Sequence, residues 1–123
     1  MPVFRQIDAV EHEAHGSTFR SYVAPSRGSA QLCAWRLEVP AGLQGVAHRP
    51  SHEEVLLILA GDLQITLDGA PAQLTAGDVA LVPAGSELRV DGGARAATAW
   101  VTTTPGLEAV TADGTRITPP WAN

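Results

Sequence analysis

The sequence predicts an all-β domain, and two observations carry that prediction. Glycine (12) and proline (9) recur along the whole chain instead of collecting in a linker. The segments between them are short and apolar, with period-two alternation where a helical period would otherwise run. At 123 residues the chain suits one domain, taken as 1–123, whose core holds without metals or disulfides. A composition of 45% hydrophobic and 17% charged residues belongs to a globular protein and is too apolar for a disordered one.

The elements follow in order. Residues 1–25 form an N-terminal arm and first strand, within which Asp8 to His15 is expected as one short amphipathic turn or helix with Asp8 as N-cap. From Cys33, the residues Cys33, Trp35, Leu37 and Val39 alternate with Ala34, Arg36, Glu38 and Pro40, which turns Trp35 inward and Arg36 and Glu38 outward. Pro40-Ala41-Gly42 ends that strand. Glu54 to Ala60 is a continuous apolar run, so a central strand covered on both faces is expected. Leu63, Ile65 and Leu67 alternate with polar residues up to Asp68-Gly69, a strong hairpin signal. Val79 to Val82 and Leu88 to Val90 read as short strands around Pro83-Ala84-Gly85, and Ala96 to Thr103 as a longer strand rich in β-branched residues. The tail, 104–123, supplies a final hairpin strand or an arm on which Trp121 docks.

Charge and cysteine content narrow the partners. The net charge of −5 comes from 13 acidic and 8 basic residues with no basic run, which argues against nucleic acid. Cys33 is the only cysteine, so no intrachain disulfide forms and a reducing compartment fits. The opening Met-Pro-Val-Phe-Arg lacks an apolar leader, and no later run approaches the ~18 apolar residues of a membrane span. A soluble cytoplasmic protein without membrane contact is expected.

Two spaced sets of residues add specificity: Gly42, His48, Glu54 and Gly61 over 42–61, then Gly77, Pro83 and Gly85 over 77–91. Order and gaps resemble the two-part signature of the cupin family, in particular small single-domain cupins of the conserved-barrel (cupin 2) type. The resemblance implies a double-stranded β-helix, a jelly-roll barrel or sandwich. The glycines and prolines sit where tight turns need a positive or fixed φ, so they speak for the fold and not for chemistry.

Cupin chemistry, as the resemblance implies it, comes from two histidines and a glutamate of the first motif with a histidine of the second, around a divalent metal. In this sequence the motif is degenerate. Pro50 and Leu88 occupy two of the histidine positions, and neither side chain offers an electron pair. His48 and Glu54 remain in register. His52 lies two residues beyond the lost histidine; turned inward, it would complete a His48, His52, Glu54 set for Fe, Mn, Ni or Zn. The preferred alternative is a metal-free barrel in which His48 and Glu54 form a hydrogen-bonded polar pair able to act as general base or to hold a polar ligand.

Leu88 should make its side of the cavity apolar, and Trp35 and Trp100 are candidate walls of the same pocket. Arg89 and Glu87 alternate outward, His12 and His15 are expected at the surface, and Cys33 is expected as inert packing. The expected function is binding of a small, partly apolar organic molecule, with isomerase, cyclase or dioxygenase-like activity through His48 and Glu54 as the family resemblance implies. The alternative is a non-catalytic sensor cupin without metal. A homodimer is expected in either case, because the Val55 to Leu59 strand needs cover on its second face.

Overall fold

The computed structural model describes residues 2–123. Their strands are β1 (Val10–Ala14), β2 (Ser17–Val23), β3 (Cys33–Val39), β4 (His48–Pro50), β5 (Glu54–Ala60), β6 (Asp62–Leu67), β7 (Ala70–Thr75), β8 (Val79–Val82), β9 (Leu88–Gly92), β10 (Ala97–Thr103), β11 (Ala109–Thr111) and β12 (Arg116–Ile117). They form two antiparallel sheets, ordered β1-β2-β3-β10-β5-β8 and β12-β11-β4-β9-β6-β7. This is the all-β fold that the alternating pattern predicts, in the jelly-roll form that the family resemblance implies.

Local chemistry explains the turns. Asp68 and Gly69 take φ of 47° and 83°, so both central residues are left-handed, and Leu67 pairs with Ala70 across them. That is the two-residue connection whose twist matches the flanking strands. The four motif glycines, Gly42, Gly61, Gly77 and Gly85, all have positive φ, between 72° and 93°, which accounts for glycine at each.

Inward side chains of both sheets build one core from Trp35, Leu37, Leu56, Ile58, Leu63, Ile65, Val82, Leu88 and Val101, among others. The alternation on β3 holds: Trp35, Leu37 and Val39 are buried, while Arg36 and Glu38 are partly exposed. On β5 the outcome differs from expectation. Glu54, Leu56 and Ile58 are buried, but Val55 and Leu59 on the other face are 39% and 45% exposed. A two-layer sandwich covers only the inner face of each sheet, so an all-apolar run does not by itself bring a third layer.

The N-terminal segment also departs from the predicted helix. A 3₁₀ turn spans Gln6–Asp8, and residues 10–14 are strand β1, paired with β2 in register Val10↔Ser21 to Ala14↔Ser17. Asp8 closes the turn from its far end, its carboxylate accepting the Arg5 N–H at 2.9 Å, and so does not cap a helix. Pairing with a formed strand outweighs a weak local helical preference.

The tail gives both a hairpin, β11 with β12, and a docked arm ending in a 3₁₀ turn at Pro120–Ala122. Trp121 stacks on Phe19 with centroids 3.8 Å apart, and its carbonyl accepts the Ser21 hydroxyl at 2.8 Å. The Cys33 thiol donates to the Ala122 carbonyl at 3.1 Å, and burial raises its pKa, so this cysteine is a packing residue. Trp121→Ala removes the stack and half-buried ring area, and should destabilise the fold by about 2–3 kcal/mol in urea unfolding. A loss below about 0.5 kcal/mol would show that the arm does not hold the body.

Candidate active site

A cavity of about 340 Å³ opens at the β4–β11–tail end of the sandwich and lies within the range of small-molecule sites. Its walls are mostly apolar, with Trp35, Leu56, Leu88, Val101 and Leu107 inside and Trp121 with Pro119 closing one side. Two polar residues of the first motif reach it, His48 and Glu54.

Strand parity delivers Glu54. As the first residue of β5, opposite Val82 of β8, it shares the inner face with Leu56 and Ile58. It is 6% exposed. Burial pushes its carboxyl up from 4.5 to about 7, and burial is the only cause of that shift. No charge or hydrogen bond of the protein stabilises the ionised form, so desolvation acts unopposed.

His48 begins β4 and pairs with Leu88 of β9 on one side and Thr111 of β11 on the other. Its Nδ1–H donates to the Val46 carbonyl at 2.9 Å. A carbonyl can only accept, so this bond fixes the tautomer and leaves Nε2 as a free acceptor in the neutral ring. Burial lowers its pKa first, the Val46 bond opposes that, and nearby His15 lowers it further. The imidazole is therefore neutral at physiological pH.

The expected hydrogen-bonded pair is not formed: His48 bonds Val46, and neither His48 nor Glu54 perturbs the other. The two groups act on the cavity from separate positions.

Pro50 and Leu88 occupy the cavity positions that the signature gives to histidines. Pro50 lies two residues after His48 on the same face of β4 and is buried, and Leu88 is 2% exposed. The donor positions have kept their places and lost their donors. His52 does not replace them. It sits in the loop before β5, where its Nδ1 lies 3.0 Å from the Thr104 hydroxyl and 3.3 Å from the Thr104 carbonyl, and its ring packs against Gly106. Between β4 and β5 the loop turns outward, so His52 follows the β10–β11 connection and leaves the cavity wall. Among the described residues no group of three His, Cys, Asp or Glu side chains comes together to hold a metal. The residues present therefore do not fit the divalent centre that the signature implies.

Trp35 lines the cavity, 3% exposed, and its indole N–H is buried without a partner among the described residues. Trp100, the other proposed wall, lies elsewhere. On β10 the inward residues are Ala97, Ala99, Val101 and Thr103, which places Trp100 on the outer face. There it meets Tyr22 edge-on at 5.3 Å. Alanine and threonine fit either face, so the sequence around Trp100 carried no parity signal.

Several wall residues went unrecognised in the sequence, among them His15, Phe19 and Trp121. His15 is exposed, as expected of a surface residue, yet the β1–β2 turn, where it adopts φ 51°, brings it to the cavity rim beside Glu13. Phe19 and Trp121 contribute an aromatic side. His12 is half buried, its ring 6.3 Å from that of Trp121. These contacts depend on where an N-terminal strand and a C-terminal arm meet, separations of about a hundred residues that no local pattern encodes.

Residues 35–102 match the family model described as a cupin domain. The chain belongs to the cupin family. Among solved structures, the cupin resembles the polyketide cyclase RemF from Streptomyces resistomycificus, with TM-score 0.75, 16% identity and 87% of this chain aligned to 83% of that one. An RmlC-like cupin from Shewanella frigidimarina NCIMB 400 gives TM-score 0.69 and 20% identity over 81% of this chain and 86% of that one. Salicylate 1,2-dioxygenase from Pseudoaminobacter salicylatoxidans, solved with gentisate, gives 0.66 and 18% over 73% and 25%. At such identities the likeness establishes the fold. A curated protein, Endoribonuclease YbeY of Myxococcus xanthus (strain DK1622), is 38% identical over 53 residues, 43% of this cupin and 18% of that protein. The cupin thus spans under a fifth of the length of that relative. Among the described residues no helix is long and apolar enough to cross a membrane.

The Glu54 shift has a sign that can be measured. A carboxyl whose folded pKa exceeds its unfolded value holds more protons folded than unfolded between the two, so its contribution to stability falls as pH rises from 4.5 to about 7 and is level above. Glu54→Gln removes that loss. The variant should match the parent near pH 4 and gain on it by about 3 kcal/mol by pH 8 in urea unfolding. A stability difference that does not change with pH would refute the desolvated carboxyl.

Proposed function

We propose that this cupin binds a small, partly apolar organic molecule in the cavity and transfers a proton on it, as an isomerase or cyclase does, with Glu54 as the acid–base group. The observation that carries the proposal is the Glu54 carboxyl itself: buried, unpaired by the protein, facing an apolar cavity and titrating at about 7. A general acid–base works best when its pKa lies near the operating pH, because both protonation states are then populated. Desolvation also makes its ionised form a stronger base than a carboxylate in water.

In the proposed step, ionised Glu54 takes a proton from a ligand carbon beside a carbonyl. The C–H electron pair moves into the carbon skeleton as an enolate, and the protonated carboxyl returns the proton at the same or a neighbouring carbon. His48 presents its Nε2 lone pair to a ligand hydroxyl and orients the molecule. One structural neighbour is a polyketide cyclase, and cyclase activity is compatible with this chemistry.

A neutral probe of desolvated carboxylate bases tests this directly. The purified protein should open 5-nitrobenzisoxazole with a rate that rises through about pH 7, and Glu54→Gln should lower the rate at pH 8 about 100-fold or more. Equal rates in parent and variant would remove the base role and leave a binding module.

We also propose that two copies pair through the outer face of β5 and β8. Val79 and Leu81 there are 59% and 54% exposed and lie opposite Leu57 and Val55, a contiguous apolar surface of the kind that marks an interface. Such a surface is self-complementary, as a two-fold contact requires. Light scattering should give twice the chain mass. Leu59→Glu with Leu81→Glu should give a folded monomer; a dimer that survives both changes does not use this face.

A further inference from the structure

The charges around the cavity specify its ligand further. Among the described residues no lysine or arginine lines it, while two carboxylates do, Glu54 inside and Glu13 at the rim. The chain contains no lysine at all. Six of its eight arginines are engaged elsewhere: Arg20 with Glu38 and Glu11, Arg27 with the Tyr22 and Asp8 carbonyls, Arg49 with Glu87, Arg89 with Asp91, Arg95 with Asp62 and Arg116 with Glu108. Of the two histidines at the cavity, His48 presents an unprotonated Nε2, an acceptor, and His15 stands at the solvent-exposed rim.

An anion entering this cavity would leave water for apolar walls, meet no fixed cation and approach a carboxylate. Each of these is unfavourable, and an unpaired charge in an apolar site is among the most costly arrangements in a protein. A hydroxyl or carbonyl meets no such penalty, because it can exchange water for His48 Nε2 as acceptor or for the Glu54 carboxyl as donor. The wall area from Leu56, Leu88, Val101 and Leu107 then favours an apolar skeleton.

We infer that the ligand is an uncharged, largely apolar molecule bearing hydroxyl or carbonyl groups, and that the cavity rejects carboxylates and phosphates of the same shape. The inference rests on the ligand-binding reading given above and adds the chemical class. It separates this chain from the neighbour solved with gentisate, a carboxylate.

The test compares 2-naphthol with 2-naphthoate, which share one ring system and differ in charge, by calorimetric titration of the full chain at pH 7.5. The naphthol should bind at least about 30-fold more tightly, as expected for exclusion of an unpaired charge. Val90→Trp, which fills the cavity, should abolish its binding. Thr111→Arg sets a cation on the cavity wall beside His48 and should shift the preference toward naphthoate. Equal or tighter naphthoate binding by the parent overturns the ligand class and leaves the cavity reading intact. Binding of neither probe, or naphthol binding that survives Val90→Trp, overturns both. A folded Thr111→Arg protein with unchanged preference overturns the missing cation as the cause.

Discussion

The period-two alternation of β5 is the constraint on which the rest depends. Leu56 and Ile58 must face inward to join the core, and a strand that buries these two necessarily buries the residue two places before them. That residue is Glu54. The carboxylate is held in the interior by the same register that builds the sandwich, and a slip of one residue would expose Leu56 and Ile58 along with it. The protein bears the desolvation of one acid as a consequence of its topology.

The second consequence concerns the partner positions. His48 and Pro50 share one face of β4, and Leu88 lies opposite His48 on β9, so the geometry that would gather ligands is intact. Replacing two donors by proline and leucine converts a polar centre into an apolar enclosure with one acid on one side and one acceptor on another. Glu54 stands in that enclosure, where burial alone raises its pKa.

Most of the fold was legible in the sequence because it is local. β3 and β8 have the predicted boundaries, and the Asp68-Gly69 hairpin and the turn at Pro83-Ala84-Gly85 lie where turn chemistry put them. Motif spacing likewise located His48, Glu54 and Leu88 on the cavity. What escaped was non-local or degenerate. Trp100 sits among residues that suit either face, the outward course of the His52 loop is set by Thr104 fifty-two residues away, and β1 is a strand only because β2 is there to pair with it. The outer face of β5 marks a different limit: Val55 and Leu59 are exposed there, because a two-layer sandwich covers only one face of each sheet and an apolar run does not reveal that.

The proposed proton transfer and the stability of the fold are linked through one proton. Below the raised pKa of about 7 the folded state gains by keeping Glu54 protonated, and above it the fold carries an unpaired buried charge. A ligand that donates a hydrogen bond to the carboxylate, or takes its charge away by giving up a proton to it, relieves that burden. Binding and proton transfer are then driven partly by recovery of a cost incurred in folding, and the recovery is largest where the ligand is neutral and the pH lies above the Glu54 pKa. An anionic ligand would add to the same cost. In the proposed reaction and ligand class, the unpaired acid supplies both the reactivity of the site and its discrimination by charge.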